Sequence, residues 1–486
     1  MDKINAEDQL AFAEITFAIP AQNFGVTCAI SAEEGLPVVT EFVLRMIHIS
    51  GAMTPGQIQG FFGFNEREVA AVIRTLNEER LVRWEDDRVE LTHYALGRFL
   101  ESSDSIPRFF KIRDWSGEVN FELISFSPAR KPTRFHRTNA MVELSARDPN
   151  KESKTIYWAE RSFQEHFRKI LRQDRVEIYK ISKVDAGEHF MIPAPCIFSF
   201  KLDSQLEIKR SLDEETVADH LEIARAISDV LSVPETSGNA HVGKFIAFFD
   251  DPVLSKYLTG QRFEFERYLE GVHVTRTTRY EGGVEPLLGA LHLPRNRRTL
   301  LQWIKSSFES EARTDQPSAL NAFWLGPSTP FWSRSNKIRP LADQINRVLK
   351  GNTLEDHGEE PEREEQRKEA GLRTILQLSD TRDRDENAGA HRYNFTRLFG
   401  TDGEVLGRKC ELFLVPKRFV AVLFHYSHNH PVSVPFGFIS SDAGHVEKAR
   451  QLLKILTFGE YKAYPLNQDK EEETDLKKEF DALVNG

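Results

Sequence analysis

The sequence predicts a multidomain chain of mixed α+β and α/β type, with a small helical module first and mixed α/β domains after it. Three observations predict this. A chain of 486 residues is too long for one core and, at about 150 residues per domain, suggests roughly three units. Hydrophobic residues at 40% and charged residues at 28% give a globular balance, which excludes a wholly disordered chain. Helical spacing over residues 36–100 then gives way to strand-like runs mixed with helices.

The elements follow in order. Residues 11–30 alternate in short bursts (Phe12, Ile15, Phe17, Ile19, then Val26, Cys28, Ile30) and predict one or two strands. Gly35-Leu36-Pro37 breaks the chain. Thr40 to Ser50 places Phe42, Val43, Met46, Ile47 and Ile49 at helical spacing, with Thr40 as N-cap and Gly51 as the stop. Thr54-Pro55 opens a short second helix carrying Ile58, Phe61 and Phe62, and Gly63 closes it. Asn65 caps a third helix, Glu68 completes a capping box, and Val69, Val72, Ile73 and Leu76 form one apolar stripe. Leu81–Trp84 and Arg88–Leu91 read as two strands around an acidic turn, Glu85-Asp86-Asp87, followed by a closing helix from His93 to Leu100.

Three helices and a hairpin in this order resemble the winged helix-turn-helix family, over residues 36–100 or so and no further. The resemblance implies that the third helix enters a DNA major groove while the hairpin, the wing, touches the backbone or minor groove. Its exposed residues would be Arg67, Arg74, Asn77 and Arg80, and arginine suits bidentate recognition of guanine. Glu66, Glu68, Glu78 and Glu79 share that helix, and the acidic wing tip repels phosphate.

Beyond the module, Val119–Phe126, Thr155–Trp158, Val176–Ile181 and Cys196–Leu202 read as strands, interrupted by a helix at Phe163–Leu171. Residues 213–232 read as a helix, 244–249 as a strand ending in Asp250-Asp251, and 252–270 and 297–310 as helical. A charge run from 352 to 370 reads as a solvated linker or helix. Thr374–Leu378, Cys410–Val415 and Phe419–Phe424 read as strands, and Val446–Leu456 as a helix. The expected divisions are 1–105, 106–235, 236–350, a linker at 351–372, 373–466 and a charged tail at 467–486.

The net charge of −10 is unevenly spread. Residues 107–183 hold 17 Lys/Arg against 10 Asp/Glu, which is +7 and leaves −17 elsewhere. Arg130, Lys131, Arg134 and Arg137 are interleaved with Phe135 and His136, and Arg168 and Arg172 follow near one helix. Cations among aromatics suit phosphate neutralisation with base stacking. Arg295, Arg297 and Arg298 open another helix, where backbone donors favour an anion. Ser333 to Arg339 is similar.

Catalytic signals are weaker. Gly238 to Lys244 follows most of a phosphate-loop pattern, but Phe245 stands where a hydroxyl must reach magnesium, and a helix before with a strand after reverses the required order. His425, His428 and His430 are the best metal candidates, with no carboxylate beside them in sequence. Asp250, Asp251 and Asp380 stand at apparent strand ends, where a magnesium-dependent nuclease would keep its ligands; Glu281 and Glu285 would join them. Cys28, Cys196 and Cys410 are too far apart for a paired motif and suit a reducing compartment. The acidic N-terminus does not read as a secretory signal, and no apolar run approaches the ~18 residues of a membrane helix.

The expectation is therefore a cytoplasmic, non-membrane, nucleic-acid-binding protein with no cofactor. DNA is favoured over RNA, with protein partners in a larger bacterial assembly, antiphage defence being one example. Two alternatives stand beside it: a metal-dependent nuclease using those carboxylates, and a protein-interaction scaffold whose winged helix binds protein.

Overall fold

The structure, a computed structural model, describes residues 9–34, 36–100, 109–132, 140–173, 176–202, 206–212, 221–232, 239–260, 262–275, 283–309, 319–351, 370–378, 388–428, 430–467 and 476–484. It is a mixed α+β chain with several sheets. Two compact units are each assembled from separated stretches. The smaller comprises residues 21–130 and 148–190, and the larger 1–20, 131–147 and 191–486.

The chain opens on β1 (Gln9–Glu34), a single strand that passes from the larger unit into the smaller. In the smaller unit α1 (Val38–Ser50), α2 (Pro55–Phe62), α3 (Glu66–Glu78), β2 (Val82–Glu85), β3 (Arg88–Leu91) and α4 (His93–Leu100) follow one another. Local chemistry fixes their ends. The side chains of Thr54 and Asn65 accept from the backbone N–H of Gln57 and Glu68, whose own side chains accept from the cap N–H groups. Gly63 closes α2 at φ 70°, left-handed backbone that glycine adopts freely. Helix α1 departs from expectation. It starts directly after Pro37, so Thr40 is no cap but a buried residue of the first turn. Thr54→Ala and Asn65→Ala are each expected to cost about 1 kcal/mol by thermal or urea unfolding, the usual worth of an N-cap.

The rest of this unit is a sheet with one helix-covered face. Residues 21–34 of β1 pair antiparallel with β4 (Phe109–Glu122), Ala21 opposite Glu122 and Glu34 opposite Phe109. Strand β4 stops short of the expected Phe126, because the Glu122 carboxylate turns back to accept from the N–H groups of Ile124, Ser125 and Ser127. After a short α5 (Pro149–Ser153), α6 (Thr155–Leu171) buries Ala159 and Phe163 against Phe24, Val26, Cys28, Ile30 and Phe121. Thr155–Trp158, expected as a strand, is the first turn of α6. The β-branched pair Thr155-Ile156 suits a strand, but the spacing of Ala159, Ser162 and Phe163 buries one helical face, and packing overrides propensity.

In the larger unit β5 (Val142–Glu143) runs parallel to β1, Phe17 opposite Val142. Strand β6 (Val176–Leu202) is one continuous element where two were expected; it belongs to the smaller unit up to Phe190 and to the larger from Met191, and its end pairs with β7 (Leu206–Leu212). Then come α7 (Leu221–Val230), α8 (Val242–Phe249), α9 (Pro252–Ser255), β8 (Leu258–Thr259), β9 (Arg262–Phe263) and α10 (Phe265–Thr275). Residues 244–249, expected as a strand, lie in α8, which buries Val242, Phe245, Ile246 and Phe249. Short apolar runs do not distinguish helix from strand by periodicity.

An eight-stranded sheet dominates this unit. Its strands are β10 (Val284–Leu288), β11 (Asn321–Gly326), β12 (Gly371–Gln377), β13 (Leu398–Thr401), β14 (Cys410–Val415), β15 (Phe419–Tyr426), β16 (Val434–Ser440) and β17 (Ala463–Pro465), in the order β10-β16-β15-β14-β11-β12-β13-β17. Pairings β11–β12 and β12–β13 are parallel, the others antiparallel. Helices α11 (Pro294–Glu309) and α12 (Ile338–Leu349) contribute Leu300, Ile304, Leu341 and Ile345 to a core shared with Trp324, Phe413 and Leu423. A further helix, α13 (Ala443–Phe458), follows β16. Among the described residues no helix is long and apolar enough to cross a membrane.

Candidate functional sites

Two places collect functional side chains, one in each unit. The first is a groove of about 370 Å³ between α2, α3 and the β2–β3 hairpin. Val69 and Ile73 form its apolar floor, since α3 turns that stripe inward onto Val43, Leu44 and Ile47. Gln59, Glu66, Ala70, Arg74 and Asn77 line it, and Trp84 of β2 closes one side at 53% exposure. Next to Trp84 the hairpin turns through Asp86 and Asp87 at φ 45° and 59°, backbone that aspartate tolerates better than most residues. Neighbouring Arg83 is held by Glu85 and Glu90. Arg67, Arg74 and Arg80 are all exposed, and of the three only Arg74 lines the groove.

The remaining cationic candidates are dispersed among local partners. In the smaller unit Lys111 pairs with Glu79, Arg161 with Glu165 and Lys183 with Asp185. In the larger, Arg147 pairs with Asp229. Arg168 donates to the Val176 carbonyl, and Arg172 is the exposed left-handed cap of α6. Arg130 and Lys131 are exposed at the ends of stretches that belong to different units. Arg134 and Arg137 lie outside the described residues. At the start of α11, Arg295 and Arg298 are exposed while Arg297 donates to Gln344. Asn296, between them, is buried and donates to the carbonyls of Leu288, Gly289 and Ala290.

The second place is a small cavity of about 40 Å³ in the larger unit, beside the ends of β10, β11 and β15 and the starts of β14 and β16. His425 Nε2 is 2.7 Å from Glu411 Oε2, and its Nδ1 is 3.0 Å from Ser433 Oγ. The other Glu411 oxygen accepts from the Trp324 indole at 2.9 Å. Glu14 is also buried, accepting from Ser335 at 3.0 Å and from the Lys337 ammonium. His292 Nε2 reaches the Glu14 carbonyl, and Ser333 Oγ is 2.6 Å from His391 Nδ1. Burial, with Arg334 nearby, pushes His391 down to about 3, so it is neutral at physiological pH. The cavity has room for about one or two waters. This arrangement is a hydrogen-bonded polar network in a core that holds its strand ends in one geometry, although Thr329 Oγ1 on the cavity wall is buried without a partner among the described residues.

Sequence reasoning missed Trp84, Glu14 and Glu411. A signal existed for the two acids, because each interrupts a strand that is otherwise apolar (Phe12-Ala-Glu14-Ile and Cys410-Glu-Leu-Phe). Such an acid is buried only with partners.

Several catalytic candidates change meaning. Asp250 is the left-handed C-cap of α8 and Asp251 the N-cap of α9, where it accepts from the N–H groups of Val253 and Leu254. Neither stands at a strand end; burial raises the Asp251 pKa, and the capped N–H groups occupy Oδ1 while Oδ2 is buried without a partner among the described residues. Asp380 and Glu281 lie outside the described residues. The phosphate-loop pattern is followed by a helix rather than the expected strand, and Phe245 is buried. His425, His428 and His430 do not converge. His425 has the carboxylate partner that its neighbours in sequence lacked, whereas His428 packs on Phe265 and His430 on Phe198. Among the described residues no three His, Cys, Asp or Glu side chains form a metal-binding group. No protein family, curated protein or solved structure matches the chain.

Proposed function

We propose that the chain is a protein-interaction scaffold, a subunit of a larger assembly, whose winged helix at residues 36–100 takes a short segment of a partner protein in the groove beside α3. One observation carries this. The groove has an apolar floor and an exposed tryptophan wall, and its charged lining is one acid, Glu66, and one cation, Arg74. Exposed tryptophan over an apolar floor is the composition of a protein-binding hot spot. Phosphate binding draws its affinity from neutralising cations, yet Glu66 lines the groove and Glu85, Asp86 and Asp87 follow Trp84. The matching ligand is a peptide with one large apolar side chain for Val69 and Ile73, flanked by lysine or arginine. Arg74 and Asn77 are placed to meet its backbone.

Selection of displayed peptides on the full chain tests this. Peptides with that pattern are expected to bind in the micromolar range, and Trp84→Ala is expected to weaken them by roughly tenfold or more. Selected peptides indifferent to Trp84 would overturn the proposal.

Double-stranded DNA is the second reading, favoured by the exposure of Arg67 and Arg74 on α3 and of Arg80 just after it. Its signature is duplex binding that falls steeply with salt and is lost in Arg74→Glu. The scaffold reading expects no saturable duplex binding even at low salt.

A further inference from the structure

Helix α1 is apolar on two opposite faces. Thr40, Val43, Leu44, Met46 and Ile47 are buried in the module. On the other side Val38, Phe42 and Ile49 stand 69%, 51% and 82% exposed, with Arg45 between the last two. These four positions are spaced i, i+4, i+7 and i+11, which places them in one straight stripe. A helix that is apolar all round is normally buried all round. The groove beside α3 does not use this stripe, since none of its lining residues belongs to α1.

We propose that the stripe is the contact between two copies of this chain, with α1 packed antiparallel on its symmetry mate. The occupant follows from the pattern of the stripe. A two-fold axis level with the midpoint of Phe42 and Arg45 sets Val38 of one copy opposite Ile49 of the other, and Phe42 opposite Arg45. Glu41 and Arg45, 3.4 Å apart within one helix, then meet the arginine and glutamate of the mate in an alternating group of four charges. Arg45 already lies over the Phe42 ring, 5.6 Å from its centroid, and the same contact is repeated across the axis. Each half supplies the charge and the apolar end that the other requires, as an isologous interface demands. A partner of single charge sign leaves one member of the Glu41–Arg45 pair unmatched.

The helix is about 20 Å long at 1.5 Å per residue. It therefore buries less than the roughly 800 Å² per partner of a standard interface, which sets the association in the micromolar range. This inference does not rest on the peptide groove, and either can fail alone.

Sedimentation velocity of the full chain from about 2 to 200 µM tests it. The expected result is a concentration-dependent shift from one copy to two, abolished by Phe42→Glu or Ile49→Glu with circular dichroism unchanged. Glu41→Arg and Arg45→Glu each weaken the dimer, and the double exchange restores it. Register is read by oxidative cross-linking: Val38→Cys protein mixed with Ile49→Cys protein forms a mixed disulfide, while neither cross-links to itself. A chain that stays monomeric throughout, or a dimer indifferent to Ile49→Glu, overturns the proposal.

Discussion

Replacing His425 with alanine is expected to destabilise the larger unit by about 1–3 kcal/mol, the cost of leaving a buried hydrogen-bonding group without one of its partners. Glu411 and His425 are 2% and 3% exposed, so the loss falls inside the core. Glu411→Gln is expected to cost less, because an amide still accepts from the Trp324 indole and still faces His425. The double variant Glu411→Leu with His425→Leu removes both polar groups and is expected to recover much of the loss, as when a hydrogen-bonded pair is replaced by apolar groups of similar shape. Urea unfolding of the three variants checks the order. Equal loss in the single and double variants would show that the carboxylate–imidazole contact is not the source.

Gly437→Ala is expected to be more damaging still, with little soluble protein recovered. A Cβ at this position would stand 1.9 Å from the Val422 carbonyl oxygen and 2.9 Å from its carbon. Both belong to backbone in the middle of the β15–β16 ladder, where Leu423 is paired with Gly437. A rotamer change cannot relieve overlap with backbone, so the strands must separate. The expected cost exceeds about 4 kcal/mol, the range reserved for disrupted cores and ladders. Gly60→Ala is the matched control. It lies inside α2 with nothing within 4 Å of the added carbon, and a gain of about 0.5–1 kcal/mol is expected. Soluble yield and resistance to limited proteolysis distinguish the two.

Legibility of the fold follows the range of the interactions that decide it. The caps at Thr54 and Asn65 and the stops at Gly51 and Gly63 depend on neighbours within four residues, and the order of helices and hairpin could be read from them. Residues 155–158 and 244–249 could not be assigned locally, since their apolar and β-branched letters suit either conformation until a packing face is chosen. The lengths of β1 and β6 were hidden by Pro20, Gly25 and Gly187, which look like breaks but lie within continuous strands. The sites divide in the same way. Arg74 and Asn77 follow from the face of α3 and were legible. The exposure of Trp84 depends on how the hairpin packs. The meeting of Glu411, His425 and Ser433 depends on the register of three strands.

Strand β1 also bears on how the protein is made. The Glu14 carboxylate waits for Ser335, 321 residues further along the chain. At about 5–20 residues per second, a ribosome takes roughly 15–60 s to supply that hydroxyl. For the first part of that interval, until Val142, Phe198 and Phe200 have been made, Leu10, Phe12, Ile15, Phe17 and Ile19, all fully covered in the finished molecule, lack the partners that cover them. This stretch is where a chaperone of the nascent chain would gain its longest hold.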